Sequence, residues 1–275
     1  MPTKSKVKNM FDSIAGDYDS LNHILSLDVD KIWRKKALKQ IVDAPAPARV
    51  LDLACGTGDF SIAIAKALSR SHKRVGTPIE AHVKASVKAP VEAQVTSTGF
   101  VTGDSGRSDL MTKGHVTGVD LSEGMLAVMR EKVAKAGLTE MISIEEGDGE
   151  NLRFPDNTFD RVTIAFGIRN FENREKGLRE MLRILKPGGR LVILELSRPE
   201  NKVIRWFYDL YFLHILPKIG GKVSGDKAAY AYLPASVAAF PGKKEFSATM
   251  REAGFRAVTH KAFTLGICRM YTGEK

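Results

Sequence analysis

The segment Arg49-Val-Leu-Asp-Leu-Ala-Cys-Gly-Thr-Gly-Asp-Phe60 constrains the fold of this chain more than any other. A short apolar run ends in a glycine turn and continues into the helical pattern of residues 60–68, which predicts a strand, a tight turn and a helix start. Gly56 and Gly58 can adopt backbone angles closed to other residues, and the first free N–H groups of the helix point into the same space. The motif therefore predicts a site for a nucleotide-like ligand, although a turn that only joins strand to helix has the same pattern.

The glycine pattern departs from the dinucleotide fingerprint G-x-G-x-x-G, because Ser61 stands where the third glycine would be. Asp52 followed by Cys-Gly-Thr-Gly resembles the first motif of the class I S-adenosylmethionine (SAM) methyltransferases. In that class the ligand carries a cationic sulfonium and an amine, and it has no pyrophosphate. The resemblance implies SAM as the ligand of this turn.

Segments that read as buried strands alternate with helical stretches, and they are residues 49–53, 116–120, 161–165 and 190–195. Such alternation predicts an α/β fold with a mostly parallel, doubly wound sheet. Residues 185–190 read as a helix-to-strand junction, since Gly188 and Gly189 can stop a helix. Residues 256–263 and 267–272 flank Leu265-Gly266 and predict an antiparallel C-terminal hairpin. The class I resemblance implies a Rossmann-like sheet of seven strands.

Residues 70–115 do not follow this alternation of strand and helix patterns, because they contain a four-residue repeat followed by a run rich in Gly, Ser and Asp. Pro90 interrupts the repeat and bulky apolar residues are scarce, so an exposed, mobile, low-complexity insertion is predicted. Excising it leaves Gly58 and Asp120 sixteen positions apart, near the ~20 expected between a glycine turn and the acid that holds a ribose. Residues 1–275 are therefore predicted to form a single domain that the insertion interrupts.

Acidic residues stand at or after the ends of the second predicted strand, residues 116–120, and of an apparent third strand, residues 142–145. Asp120 can accept hydrogen bonds from both hydroxyls of a ribose, and the alternative is helix capping, for which Ser122 is better placed. Asp148 can accept from the exocyclic amine of adenine, and Gly149 leaves room for the ring; the alternative is a surface turn. Together with the glycine turn, these strand ends converge on one ligand at the switch point of the sheet.

Two long motifs carry a resemblance to a known family: Tyr18-Asp-Ser-Leu-Asn22 running to Trp33-Arg34, and Arg183-Ile-Leu-Lys-Pro-Gly-Gly-Arg-Leu-Val-Ile-Leu-Glu195-Leu-Ser197. Phe154-Pro-Asp-Asn-Thr-Phe-Asp160 and Phe166-Gly-Ile-Arg-Asn170 also match. The chain resembles the ubiquinone/menaquinone biosynthesis C-methyltransferase family over nearly its whole length except residues 70–115. Among its departures, Asp30 stands where relatives often have histidine.

The resemblance implies methyl transfer from SAM, the methyl donor, to a ring carbon of a prenylated quinol, with demethylmenaquinol as the expected substrate. It also implies SAM contacts at Thr57, Asp120, Asp148 and Gly149, which agree with the residues chosen from the motifs. The alternatives are a ubiquinone-pathway benzoquinol, another lipophilic small molecule or RNA. A nucleotide-binding module without catalysis would keep the glycine turn but would not need the Tyr18 to Trp33 motif.

Ring methylation requires an electron-rich carbon, which a quinol supplies once its phenol has lost a proton. Since a phenol such as tyrosine has a pKa of about 10, a nearby cation or base must help. Arg169 and Asn170 follow the fourth predicted strand, where a guanidinium could stabilise the phenolate and an amide could orient it. The proton could go to water or to a histidine such as His214. Pairing of Arg169 with Asp160 or Glu172, and capping of the next helix by Asn170, are equally compatible with the sequence.

Charge and composition restrict partners and location. The chain has 42 Lys and Arg against 32 Asp and Glu, a net charge of +10, without a dense basic run or an aromatic-basic RNA-binding motif. Its 2 cysteines make a disulfide framework or a metal cluster implausible, and no signal peptide or spanning segment is evident, so a cytoplasmic protein is expected. Residues 201–217 hold five aromatic side chains, which suit either a core or a lid over a greasy substrate. Lys202, Arg205, Lys218 and Lys222 around them suit peripheral contact with an anionic membrane surface.

Overall fold

The computed structural model describes residues 3–16, 18–19, 26, 28–44, 48–75, 114–211 and 227–275, with the backbone alone at 71–75 and 227–231. Most of the predicted insertion lies outside the described residues. His214, Lys218 and Lys222, which come later in the chain, also lie outside them. At its edges the helix after the glycine turn continues to Val75, and the next strand begins at His115. The single-domain interpretation stays a prediction.

Seven strands form one mixed sheet in the order β3-β2-β1-β4-β5-β7-β6. Their bounds are Arg49–Leu53 (β1), His115–Asp120 (β2), Ile142–Glu146 (β3), Phe159–Ala165 (β4), Leu185–Leu196 (β5), Arg256–Phe263 (β6) and Cys268–Glu274 (β7). Strands β1 to β5 pair in parallel, and β7 pairs antiparallel with both β5 and β6. The predicted doubly wound sheet with an antiparallel C-terminal hairpin is therefore confirmed.

The described helices fall on both faces of the sheet. Their bounds are Lys4–Ile14 (α1), Val29–Leu38 (α2), Asp59–Val75 (α3), Glu123–Lys135 (α4), Arg174–Ile184 (α5), Lys202–Leu210 (α6), Lys227–Ala238 (α7) and Lys243–Glu252 (α8). One hydrophobic cluster joins α2, α3 and α4 to one face, and a second joins α5 and α8 to the other. In α3 the residues Phe60, Ile64 and Leu68 recur every fourth position and are buried, which is the spacing of a helix with one apolar face.

The predicted junction at residues 185–190 is part of β5. Helix α5 ends at Ile184, Leu185 already pairs with Phe159, and the register shifts before Arg190 pairs with Arg161. Gly188 takes a φ of +75° in the intervening turn, a backbone conformation that favours glycine. The turn is thus where it was predicted, but the strand begins on its N-terminal side.

Ser61 has a structural reason to replace the third glycine of the turn motif. Its hydroxyl donates to Asp52 Oδ2 at 2.6 Å, and both residues are buried. Burial raises the pKa of Asp52 to about 7, although the Ser61 hydrogen bond acts in the opposite direction. Asp52 therefore belongs to the core of β1.

We expect Asp52→Asn to flatten the pH dependence of stability between pH 4 and 7. Asp52 binds its proton more tightly in the folded chain than in the unfolded one, whose pKa is about 3.9, so its contribution is present at low pH and is lost as pH rises through about 7. Urea unfolding at pH 4.5 and 7.5 measures the effect, which is a few kcal/mol at most. The same pH slope in wild type and variant would contradict this assignment.

Candidate active site

The first cavity lies at the carboxyl ends of β1 to β4, where the strand order reverses between β1 and β4. Ala54, Asp120, Gly147 and Ala165 represent these strand ends in its lining, and α1 covers its outer side. Such a crevice is the usual ligand site of a doubly wound sheet. The predicted convergence of strand ends on one site is present in the structure.

Asp120 and Gly56 join the first two strand ends of the cavity. The Gly56 N–H donates to Asp120 Oδ2 at 2.8 Å, and the Ser122 N–H donates to Asp120 Oδ1 at 2.9 Å. Burial raises the pKa of Asp120, and these backbone donors oppose the rise. A carboxylate offers about four acceptor sites, so these donors leave capacity for a ligand hydroxyl. Helix α4 is capped by Ser122, which accepts from Met125, as predicted.

Thr57 and Gly58 do not line the first cavity, although both were predicted to bind the cofactor. The Thr57 hydroxyl instead contacts Asp19 and, at 3.3 Å, Lys132 Nζ. A Cβ at Gly58 would lie 2.4 Å from Met129 Cγ, and the residue has a φ of +83°. Gly58 is therefore required for the packing of α4 against the turn, and a direct contact of either residue with a ligand stays a prediction.

Asp148 and Gly149 follow β3 and line the cavity. Asp148 Oδ1 accepts from the Glu150 N–H at 2.9 Å as a turn residue does, while Oδ2 lies 2.7 Å from Lys4 Nζ of α1. A Cβ at Gly149 would lie 2.5 Å from the ring of Phe171, so the absence of a side chain lets Phe171 pack against this residue. The turn and the ligand interpretations of Asp148 are compatible in this geometry.

A second, largely apolar cavity of about 460 Å³ lies beside the first, within the size range of small-molecule sites. Trp33, Phe207, Tyr208, Leu233 and Ile267 are among its walls. They come from α2, α6, α7 and the segment before β7. The volume and the apolar walls of the second cavity suit an apolar small-molecule ligand.

Arg169 contributes to the wall of the second cavity and forms a buried ion pair. Its Nη1 lies 2.8 Å from Glu195 Oε1, its backbone N–H donates to Glu195 Oε2 at 3.1 Å, and the two residues are 8% and 0% exposed. Burial disfavours the charged guanidinium, but Glu195 outweighs this and raises the pKa of Arg169. The alternative that Arg169 pairs with Asp160 or Glu172 is thus wrong, because the partner is Glu195 on β5.

The remaining donors of Arg169 are divided between protein and cavity. Nη1 also donates to the Phe166 carbonyl, and Nε lies 3.3 Å from Ser236 Oγ. No acceptor for Nη2 occurs among the described residues. Since Arg169 lines the second cavity, Nη2 is placed to donate to a ligand oxygen there.

Asn170 lines the first cavity and accepts a hydrogen bond at Oδ1 from the Tyr232 hydroxyl at 2.7 Å. The cap of α5 is Asn173, which accepts from the Lys176 N–H, so the capping alternative for Asn170 is wrong. Arg169 and Asn170 occupy one short 3₁₀ turn, Ile168–Asn170. Adjacent residues of this turn therefore face adjacent cavities.

Phe166 and Tyr18 line both cavities and form the wall between them. Phe166 has a φ of +64°, a strained conformation for an aromatic residue, and its N–H donates to the Leu194 carbonyl at 2.7 Å. This backbone turn directs the chain from β4 into the 3₁₀ turn that holds Arg169. Backbone strain is thus located where the two cavities meet.

The sequence reasoning missed the contribution of α1 to the first cavity. Lys4, Val7, Lys8 and Phe11 of α1 line it. A spacing of four residues places Lys4 near Lys8 and Val7 near Phe11 on the helix surface, which is a legible amphipathic signal. The pattern predicts a helix with one packed face, but it does not identify the element against which that face packs.

The chain is similar to known methyltransferases throughout its length. The family model described as the ubiE/COQ5 methyltransferase family matches residues 2–275. The ubiquinone/menaquinone biosynthesis C-methyltransferase UbiE of Geobacter sulfurreducens is 43% identical over 98% of this chain and 88% of that protein. The demethylmenaquinone methyltransferase of Bacteroides fragilis is 38% identical over 98% of this chain and 92% of that protein.

Solved structures share the fold at low identity. The [4+2]-cyclase SpnF superposes with a TM-score of 0.64 and 16% identity, covering 100% of this chain and 97% of that one. A SAM-dependent methyltransferase from Aquifex aeolicus gives a TM-score of 0.52 and 20% identity, covering 87% of this chain and 88% of that one. The Rossmann-like fold predicted from the sequence is confirmed by these likenesses.

We expect Asp120→Ala to weaken SAM binding more than tenfold, about 1.4 kcal/mol, because a ribose hydroxyl loses its carboxylate acceptor. Isothermal titration calorimetry measures the affinity, and circular dichroism checks the fold. Glu123→Ala is the matched control, since Glu123 is exposed on the neighbouring helix α4, pairs with Arg130 and does not line the cavity. Equal affinity of the Asp120 variant and the control would remove Asp120 from the site.

Proposed function

The chain belongs to the ubiE/COQ5 methyltransferase family, and from this premise we propose that it methylates a ring carbon of demethylmenaquinol with SAM as the donor. The contact between the two cavities is the observation that most supports this proposal. The first cavity, which is bordered by carboxylates, and the largely apolar second cavity share the wall formed by Phe166 and Tyr18, and methyl transfer requires a donor and an acceptor site in contact.

The residues of the first cavity suit SAM. Its border has three carboxylates, Asp120, Asp148 and Glu150, against the two amines of Lys4 and Lys8, and this excess of negative charge favours a ligand with a cationic sulfonium and an ammonium group. Because Gly56 has no Cβ and a φ of +55°, its backbone is accessible to a ligand in the cavity. When bound, SAM supplies an electrophilic methyl group on its sulfonium. We propose that Asp120 binds the ribose and Asp148 the adenine amine, with Gly149 beside the ring.

The second cavity suits a naphthoquinol better than the alternatives. Its two arginines, Arg34 and Arg169, already pair with Asp30 and Glu195, which leaves little charge for the phosphates of an RNA. Apolar and aromatic walls favour an apolar ring and its prenyl tail. A benzoquinol has the same hydroquinone chemistry and is the control substrate of choice.

Incubation with methyl-labelled SAM and a short-tailed demethylnaphthoquinol, reduced and kept under argon, tests this function. We expect label in the ring methyl of the product, identified by mass spectrometry, and less label with a benzoquinol of equal tail length. Omitting the reductant is the control, because the quinone lacks the electron-rich carbon. Label incorporation into RNA alone would overturn the proposal.

Arg169 and Asn170 are proposed to act on the substrate phenolate. Arg169 lines the second cavity, and Glu195 holds its guanidinium through Nη1. A donor held in this way stabilises a developing oxyanion without reorganising at the moment of reaction. Asn170, held by Tyr232, lies on the side of the first cavity, where its amide can orient the groups that meet at the shared wall.

We expect Arg169→Lys to lower kcat about 10²-fold while SAM affinity is unchanged. Lysine keeps the charge that Glu195 requires, whereas Arg169→Met would leave a buried carboxylate unpaired. Raising the pH should restore part of the rate, because the quinol then ionises without help. Single-turnover kinetics from pH 6 to 10 measure both effects.

Arg174→Lys is the matched control, since Arg174 is a neighbouring arginine that donates to the Arg169 carbonyl and lines neither of these cavities. An Arg169→Lys variant that melts at lower temperature but turns over at the wild-type rate would assign Arg169 a purely structural role. The double variant Arg169→Met/Glu195→Leu, which removes both charges, separates loss of the ion pair from loss of the donor.

We also propose peripheral membrane contact around the mouth of the second cavity. The exposed large hydrophobic side chains of the described residues are Ile32, Val203, Trp206, Phe207, Leu210 and Leu265. They belong to α2, α6 and the turn between β6 and β7, and each of these elements also lines the second cavity. Exposed Lys35, Lys36 and Lys202 lie on the same helices. An apolar rim with flanking lysines suits the surface of an anionic bilayer, where a prenylated substrate resides.

Among the described residues, no helix is long and apolar enough to span a bilayer.

We expect Val203→Ser/Trp206→Ser to reduce binding to anionic vesicles at least tenfold, since 65% and 60% of these side chains are exposed. Neither residue lines the second cavity, so turnover of a short-tailed, soluble quinol should remain. Val203→Ile/Trp206→Phe is the control that keeps apolar area. Vesicle co-sedimentation with equal binding of both double variants would contradict the contact.

A further inference from the structure

The second cavity contains one carboxylate among its described lining residues, that of Asp30 on α2. Asp30 is 4% exposed, and its Oδ1 accepts from the Ser26 hydroxyl at 2.6 Å. Ser26 lines the same cavity. A buried carboxylate requires polar partners, and besides Ser26 it has Arg34, so a charged, proton-accepting group is held at the wall of an apolar cavity.

The other polar groups of this cavity are poor proton acceptors. Arg34 and Arg169 carry no acceptor, and the Thr264 hydroxyl already accepts from Trp33 Nε1 at 2.9 Å. Burial raises the pKa values of Tyr208 and Tyr211, so their hydroxyls remain protonated near neutral pH. Asp30 is therefore the best-suited base among the described lining residues.

The surroundings of Asp30 tolerate a change in its charge. Arg34 Nη1 lies 3.0 Å from Asp30 Oδ2 and 3.3 Å from Asp59 Oδ2. When Asp30 is protonated, Arg34 retains Asp59, so no cation is left without a counter-charge. The Arg34 guanidinium also lies 5.8 Å from the centre of the Phe166 ring, which connects Asp30 to the wall between the cavities.

On the basis of the proposed function, we propose that Asp30 takes the proton of a quinol hydroxyl, with Ser26 as the relay. The phenolic O–H bond breaks, its electron pair stays on the oxygen, and the proton passes to Ser26 as the Ser26 proton passes to Asp30. The ring carbon then forms its bond to the methyl group, and the carbon–sulfur pair stays on sulfur. The ring C–H proton leaves to water, Asp30 returns its proton to the oxygen, and one proton is released overall.

Variants at position 30 test the assignment through kcat, pH profile and chemical rescue. Asp30→Asn should lower kcat at least about 10²-fold, the usual contribution of a general base, while calorimetric SAM affinity is unchanged. Asp30→Gly with added formate should recover activity, because formate supplies a carboxylate in the vacated space. Asp30→His should retain activity but move the acidic limb of the pH–rate profile upward, since imidazole titrates at about 6.5. Ser26→Ala should slow turnover less than Asp30→Asn.

The charged groups near Asp30 are Lys31 and Arg34 on α2 and Asp59 on α3. The other titratable residues that line the cavity are Arg169, Tyr18, Tyr208 and Tyr211. Since they are the same in all variants, a shift of the limb reports residue 30 itself. Asp43→Asn is the matched control: Asp43 pairs with Arg161 and Arg190, and none of the three lines the cavity, so its loss should affect melting temperature alone.

The result that overturns the inference is a folded Asp30→Asn protein with wild-type kcat, or Asp30→Gly and Asp30→His proteins that show neither formate rescue nor a shifted limb. If the glycine variant does not fold, the histidine variant alone decides. Failure of the proposed function is a different outcome, because the wild-type enzyme would then not methylate the naphthoquinol at all.

Discussion

Strand β1 lies between β2 and β4, and the chain leaves it first toward one edge of the sheet and later toward the other. This reversal opens a crevice at the carboxyl ends of the strands. The Gly56 N–H to Asp120 hydrogen bond ties the two strand ends on one side, and the Phe166 N–H to Leu194 bond ties those on the other. Both cavities depend on that frame, because Phe166, one of the two residues of their shared wall, is the first residue beyond β4.

Much of the first cavity could be predicted from the sequence, for a geometric reason. Parallel strands bring their carboxyl ends to one edge, so the residues that follow apolar runs are neighbours whatever their distance along the chain. Gly56, Asp120 and Asp148 were found in this way. Thr57 and Gly58 do not line this cavity, and their contact with the ligand stays a prediction, since a turn motif does not show which of its residues face the ligand.

The contacts that could not be predicted join elements without a shared local pattern. A charged residue in a predicted buried strand indicates an ion-pair partner, and Glu195 is such a residue. Sequence alone, however, gave Asp160 and Glu172 as equally good partners for Arg169. Only the register of β4 against β5 brings Glu195 to the 3₁₀ turn. The placement of α1 on the first cavity has the same origin, because amphipathic spacing defines a face without defining its neighbour.

Charge in the second cavity is arranged in pairs. Arg169 lies against Glu195, and Arg34 is shared between Asp30 and Asp59, so an apolar site contains ions without a large net field. A buried pair of this kind is a weak source of stability, since desolvation offsets most of the attraction. Its value here is that each guanidinium is oriented before a substrate arrives.

Helix α1 gives the first cavity a wall that is held by charge as well as by packing. Lys4 Nζ lies 2.7 Å from Asp148 and 2.9 Å from Glu150, and about a third of the side chains of Lys4 and Asp148 is open to water. An amine of a ligand that reaches Asp148 meets a lysine already in place. A ligand amine that binds this oxygen would therefore compete with Lys4, and the affinity measured for such a ligand would include the cost of releasing the lysine.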